Sequence, residues 1–404
     1  MATQSPASST FTVTEHVIEA SHIREYARAT KPSNEVLKLV VKQYSPKSNP
    51  DPQPGDLTII GTHGSGYPKE LYEPIWEELY YELSSHGIRI RSIWIADTAN
   101  QNASGVVNEA VIGDDPSWFD HARDLLYMTN QFKFDMPQPI VGIGHSFGAG
   151  QLVMLSLLHP RLFTSLILIE PVIEKDIYAG MGPELVRYSL SRENSWSSPA
   201  EAEAHFRKLF KKWDARVLTR WMEHGLRRMS KSAAAGTEVA VTLTTHPYQE
   251  VNQYLRPNFD RKKPASGDVT HIDIIGPDHT TAPFYRTEPV LLWKLLGNIR
   301  PPVLYLFGKA SPLSGPVSRK EKLERTGRGI GGSGGYKMGR VKGVAIEGAT
   351  HQLPFEKVGR IASESARWLK IEIELWKEKE ESIRHSWEVE DGVGDGSHRH
   401  SIVE

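Results

Sequence analysis

Along most of the chain, hydrophobic positions gather into short, nearly unbroken runs separated by amphipathic stretches. The runs fall at 35–44 (EVLKLVVKQY), 56–64 (DLTIIGTHG), 88–97 (IRIRSIWIAD), 139–146 (PIVGIGHS), 165–172 (SLILIEPV), 302–309 (PVLYLFGK) and 341–348 (VKGVAIEG). Apolar runs this continuous suit strands buried on both faces of a parallel sheet. Helical spacing occupies Lys69 to Ser84, Trp118 to Phe132 and Gly150 to Leu158 between them, and strands alternating with helices predict an α/β fold with helices on both faces of a mostly parallel sheet. The alternation stops after Pro171 and resumes near Pro301, as it would around an inserted, mainly helical cap. The expected boundaries are a core in two parts, 15–172 and 299–376, a cap at 173–298, and a charged tail at 377–404 with too few apolar residues to hold order.

Within the cap, Phe206, Phe210, Trp213, Val217 and Trp221 recur three or four apart among Arg207, Lys208, Lys211, Lys212, Arg216 and Arg220. The spacing predicts one amphipathic helix, whose basic side faces either an anionic substrate or water. The cap's Trp196, Trp213 and Trp221 suit either an apolar substrate or the cap's own core.

Composition narrows the function. A chain of 404 residues with 39% hydrophobic content can bury a large core. Its 48 basic and 49 acidic residues leave a net charge of -1, so no nucleic-acid partner is expected. The absence of cysteine excludes disulfides, thiolate metal sites and a thiol nucleophile. No segment resembles a signal peptide or a transmembrane span, and Ile402-Val403-Glu404 is not a peroxisomal signal of the S-K-L type; a cytoplasmic location is expected. His398 and His400 have no partner at ligand spacing, so no metal is expected, and no cofactor motif stands in the right setting. Oligomeric state is not legible.

The pattern G-x-S-x-G occurs twice, and context separates the copies. Ser146, in Gly144-His145-Ser146-Phe147-Gly148, follows a strand and opens a helix. A sharp turn there lifts a serine hydroxyl clear of the backbone, with glycines preventing collision across it. Ser333, in Gly331-Gly332-Ser333-Gly334-Gly335, lies in a glycine-rich loop. The overlapping Gly327-x-Gly329-x-x-Gly332 precedes a strand rather than following one, which is the wrong setting for a dinucleotide site.

A serine needs a base and donors for the oxyanion. His351 stands just past the last strand-like run, where α/β hydrolases place their histidine. His145 should point away across the turn and serve packing. The amide of Phe147 supplies one oxyanion donor. The turn at His63-Gly64 supplies the other, from Ser65 or alternatively from Gly64. The acid is less regular: the loop after 302–308, its commonest position, carries no carboxylate before Glu321. Glu170 ends the strand after the nucleophile helix and can reach the imidazole from the neighbouring strand. Glu174, Asp176 and Asp97 are its rivals.

THGSG, GDDPSWFDHARDLLYM, GHSFGAG, LIEPV, SRENSW, WDARVL, GGSGG and ATHQLPFEKV, in this order over about residues 15 to 376, resemble the fungal α/β hydrolases related to yeast peroxisomal lipase. That family includes the mycophenolic-acid acyl-coenzyme A hydrolase and the AK-toxin biosynthesis hydrolase. The resemblance implies a lidded α/β-hydrolase fold and a triad that maps onto Ser146, Glu170 and His351; it also admits a peroxisomal location. The expected activity is a serine hydrolase cleaving an ester or thioester of an apolar acyl or polyketide-like small molecule, in fungal secondary (toxin) metabolism. An acyl-coenzyme A thioesterase or a lipase of the peroxisomal type is the alternative, and a non-catalytic ligand-binding member comes third.

Overall fold

The computed structural model describes residues 3–4, 10–177, 181–229, 239–258 and 282–392. A nine-stranded sheet runs through it, built from β1 (Thr3–Gln4), β2 (Phe11–Glu19), β3 (Lys38–Pro46), β4 (Leu57–Thr62), β5 (Ile90–Ala96), β6 (Ile140–His145), β7 (Ser165–Ile169), β8 (Val303–Gly308) and β9 (Val341–Ile346). Their order is β1-β2-β3-β5-β4-β6-β7-β8-β9. Every neighbouring pair from β5 to β9 is parallel, and the pairs β1/β2, β2/β3 and β3/β5 are antiparallel.

Each continuous apolar run of the sequence became a strand because both faces are covered. In β4, Ile59 belongs to the buried cluster that holds Trp76 and Leu369, while Ile60 belongs to the separate one that holds Leu125 and Leu152. One layer holds α1 (Glu73–Ser85). The opposite layer holds α3 (Trp118–Gln131) and α4 (Phe147–Leu158), with a short α2 (Asn102–Val107) preceding them. Ser117 caps α3 by accepting from the Phe119 amide at 3.1 Å. β2 is a strand the apolar runs did not reveal, since Thr12, Thr14, Glu15 and His16 interrupt its buried positions; the core begins at or before Phe11, not at residue 15.

Between β7 and β8 the chain leaves the sheet to form α5 (Gly182–Ser191), α6 (Pro199–Leu209), α7 (Ala215–His224), α8 (Pro247–Tyr254) and α9 (Glu288–Leu295). Short strands at Ser195–Trp196, Val241–Leu243 and Leu226–Arg228 add a small antiparallel sheet. The single amphipathic helix expected through Phe206 and Trp221 is two helices. Its stripe breaks at Phe210–Asp214, where Asp214 caps α7 by accepting from the Arg216 amide at 2.9 Å. The three arginines of the basic side are paired: Arg207 meets Glu203, Arg216 meets Glu78 and Asp214, and Arg220 meets Glu73 and Glu223. Trp213 and Trp221 pack against Tyr67, and Trp213 also against Phe355, while Phe206 and Phe210 pack against each other and against these tryptophans.

α10 (Pro316–Arg325), α11 (Leu353–Glu356) and α12 (Val358–Gly392) complete the fold, α12 packing against α1. The start of the tail, expected to lack order, is a continuation of α12. Charges at helical spacing account for this, for example Arg384 with Glu381 and Glu388. His398 and His400 lie outside the described residues. Among the described residues no helix is long and apolar enough to cross a membrane.

Candidate active site

The C-terminal ends of β4, β6, β7 and β8 converge on one point. β6 ends at His145, and Ser146 turns the chain into α4 with φ 59° and ψ -125°. Such a conformation is sparsely populated by L-residues and survives only where the surroundings enforce it. Enforcement comes from the Ser146 amide, which donates to the Ile169 carbonyl at 2.9 Å, and from the Ser146 carbonyl, which accepts from the Val172 amide at 3.2 Å. The flanking glycines are required by space. A Cβ on Gly144 would stand 2.5 Å from Thr62 Oγ1, and one on Gly148 would stand 2.4 Å from the His63 carbonyl oxygen.

His351, on the loop after β9, brings Nε2 to 2.9 Å from Ser146 Oγ, while its Nδ1 lies 3.1 Å from Glu170 Oε2. Glu170 sits just past β7, also at positive φ (49°), and is buried. Burial alone would push its carboxyl up, but hydrogen bonds from His351, Ser311 and Ser314 outweigh that and hold it below the ordinary value. The Gly308 amide donates to it as well, at 2.6 Å. An ionised Glu170 can only accept, so His351 donates through Nδ1–H, Nε2 is left as an acceptor, and the Ser146 hydroxyl donates to it. A serine, an imidazole and a carboxylate in this line can move a proton off the serine oxygen.

Phe147 and Ser65 border the same cavity as Ser146 and His351. Phe147 is the first residue of α4, so its amide has no partner within the helix. The two oxyanion candidates in the β4 turn are separated by a contact the sequence could not reveal: the Gly64 amide donates to Tyr72 Oη at 2.8 Å. Ser65 remains, its hydroxyl fixed by Gln101 Nε2 at 3.1 Å. Gly64 itself is needed, because a Cβ there would lie 2.7 Å from His145 Nδ1.

His145 does more than pack. Tyr72 Oη is 2.8 Å from its Nδ1, and its Nε2 is 2.9 Å from the His351 carbonyl oxygen. The carbonyl demands an N–H at Nε2, so Tyr72 donates to Nδ1 while accepting from Gly64. Burial and the nearby His351 keep the His145 imidazole neutral, far below its usual value. Asp97 is not near His351; it is fully buried against Lys69 Nζ at 2.7 Å. Trp196, Trp213 and Trp221 are buried and do not border the cavity; Trp118, Tyr67 and Tyr254 do. Ser333 is held in its loop by the Ile299 carbonyl. Volume does not mark the site: a cavity of about 620 Å³ opens beside Lys31, Glu109 and Arg227, away from Ser146.

The sequence pattern that describes the α/β-hydrolase family matches residues 59–364. The chain belongs to the α/β-hydrolase family. Among curated relatives of this hydrolase is the type I acyl-CoA thioesterase mpaH of Penicillium brevicompactum, 40% identical over 394 residues, covering 92% of this chain and 90% of that one. The abhydrolase domain-containing protein ACTT2-1 of Alternaria alternata is 31% identical over 242 residues, 60% of this chain and 87% of the relative. Among solved structures, the peroxisomal α/β-hydrolase Lpx1 of Saccharomyces cerevisiae has the same fold, with a TM-score of 0.71 at 17% identity, over 96% of this chain and 100% of that one. The relatives agree with the resemblance read from the sequence.

Proposed function

We propose that this hydrolase cleaves a thioester of an apolar acyl or polyketide-like group, with Ser146 as nucleophile, His351 as general base and Glu170 as the acid of the triad. The observation that carries the reading is the line from Ser146 Oγ through the His351 ring to Glu170, beside Phe147 and Ser65, whose amides have no hydrogen-bond partner among the described residues. His351 Nε2 takes the Ser146 proton as Oγ attacks the acyl carbonyl; Glu170 holds the imidazolium, and the two amides receive the negative charge on the carbonyl oxygen. Collapse breaks the acyl–sulfur bond, His351 returns the proton to the leaving thiolate, and the acyl group stays on Ser146. Water, deprotonated by the same imidazole, then releases the acid and restores the serine.

Thioester rather than oxygen ester is favoured by the thioesterase name of the relatives that span nearly the whole chain. A place in fungal secondary metabolism is part of the same proposal and rests on the resemblance and on the Penicillium relatives. A fluorophosphonate probe followed by peptide mapping tests the nucleophile without a known substrate: modification should fall on Ser146 and vanish in Ser146→Ala. Thiol release from long-chain and polyketide acyl-coenzyme A, measured beside turnover of matching oxygen esters, tests the leaving group. Turnover surviving in Ser146→Ala would overturn the mechanism.

A further inference from the structure

The cavity above Ser146 is walled mainly by Val172, Ile177, Met181, Leu185, Leu255 and Leu313. Among the described residues, two with charged side chains also line it. One is largely committed elsewhere: the terminal nitrogens of Arg286 donate to Glu288 Oε1 at 2.6 Å and to the carbonyls of Pro116 and Asn252, and only its buried Nε lacks a partner among the described residues. The other is Glu174. Its carboxylate has no hydrogen-bond or ion-pair partner among the described residues, and Lys322, which influences it electrostatically, spends its Nζ on the Pro171 carbonyl at 3.2 Å.

Glu174 is not at the end of a loose loop. It lies four residues past Glu170 on a strap pinned twice: the Val172 amide donates to the Ser146 carbonyl at 3.2 Å, and the Glu174 amide donates to the Pro289 carbonyl at 3.1 Å. The backbone that carries the carboxylate is therefore tied to the nucleophile's own turn. Burial raises the carboxyl to about 7, with Lys322 opposing and Asp176 adding to the rise. An anchored polar group in an apolar cavity is costly to cover with a purely hydrocarbon ligand, because it loses water and gains no partner.

We infer that Glu174 selects the acyl group, favouring an otherwise apolar acyl body that carries a hydroxyl, aliphatic or phenolic, able to hydrogen-bond this carboxylate. The inference rests on the proposed thioesterase reading for the identity of the acyl group, but not for the location of the cavity. A site built around a hydroxyl partner rejects the analogue lacking it more strongly than an apolar site rejects an extra hydroxyl. Glu174 thus acts on specificity and takes no part in the bond changes at Ser146.

The test uses the full chain with coenzyme A thioesters of decanoic acid and of hydroxydecanoic acids bearing the hydroxyl at successive carbons toward the chain end. At least one isomer should exceed decanoyl-coenzyme A in kcat/KM by about ten- to a hundredfold. Glu174→Leu should erase that preference and improve the unsubstituted substrate, whereas Glu174→Gln, which still offers an acceptor, should keep most of it. Slowing of fluorophosphonate labelling at Ser146 by the same free acids reads binding without turnover and should follow the same order. An equal hydroxyl preference in wild type and Glu174→Leu, or none in either, with Ser146 still labelled, overturns the inference and leaves the serine mechanism standing. Loss of labelling in the wild-type chain itself strikes the proposed function instead.

Discussion

Three non-glycine residues in the described chain have positive φ: Ser146, Glu170 and Asn102. Two of them are the proposed nucleophile and acid, at the ends of adjacent parallel strands, so the unusual backbone gathers where side chains must be aimed rather than packed. For Glu170 the aim is specific. Its two oxygens are filled by Gly308, Ser311, Ser314 and His351; Gly308 ends β8, and the two serines come from the loop after it, which lacks a carboxylate of its own. Glu170→Gln would present an amide N–H to some of these donors and lose the charge that supports the imidazolium; kcat should fall by about 10⁴-fold with the fold intact. Asp97→Asn should behave in the opposite way. It leaves Lys69 with Glu70 at 3.0 Å but removes a buried ion-pair partner, so stability should drop by about 3 kcal/mol while kcat barely moves. Urea unfolding together with steady-state kinetics separates the two, and the reverse ordering would reassign the acid. Ser146, His351, Glu170 and Phe147 could be proposed for the site because each follows from a strand end and a chain order, whereas Ser65 and Gly64 could not be told apart that way. The Gly64–Tyr72–His145 connection was not, since it joins side chains distant in sequence, although an empty acid position followed by Ser311 and Ser314 was a signal that these serines hold an acid from elsewhere.

At the scale of elements, the sequence showed best those that are apolar on both faces. β4, β6, β7 and β8 are buried along their whole length, and a continuous apolar run has no other reading once helices alternate with it. Elements whose identity depends on partners were harder. β2 pairs with β3 along its length, yet its mixed Thr, Glu and His content hides the strand. The α6–α7 break was signalled by Asp214, a good N-cap residue inside what otherwise scans as one amphipathic stripe. The helical tail was hidden because charge-rich composition describes both disorder and a solvated helix. Its position in the structure gives a prediction. On α12, full burial of apolar side chains ends at Ile373, whereas Leu375 and Trp387 are exposed. A chain ending at Trp376 should therefore keep its hydrolytic activity and unfold within about 1 °C of the full chain, a shift worth no more than about 1 kcal/mol. A larger loss in thermal unfolding would mean that the outer turns of α12 support the core.

For the molecule as a whole, a net charge of -1 conceals large opposing electrostatic effects in the interior. His63, His121 and His145 are held below the ordinary histidine value, in each case chiefly by burial. Buried Asp120 is pushed up to about 6, again mainly by burial and against the pull of Arg24. The two kinds of group act in opposite directions on stability as pH falls, so the overall profile is a difference and a single substitution must isolate each part. His121 is the clearest case. Both its ring nitrogens lack hydrogen-bond partners among the described residues, Asp124 approaches only to 3.9 Å, and its value drops to about 3 from 6.5, chiefly by burial. Between those two values the unfolded chain binds a proton there and the folded chain does not. Wild-type stability is consequently drained as pH falls below about 6.5, at a rate approaching 1.4 kcal/mol per pH unit from this one site. His121→Leu removes the site while keeping an apolar filler of similar bulk. Its stability relative to wild type should climb by that slope in urea unfolding curves taken from about pH 7 to about pH 5, whatever the sign of the difference at neutrality. A flat difference across that range would mean that folded His121 takes up its proton as readily as the unfolded chain does, and that the layer between α3 and the sheet is wetter than its burial implies.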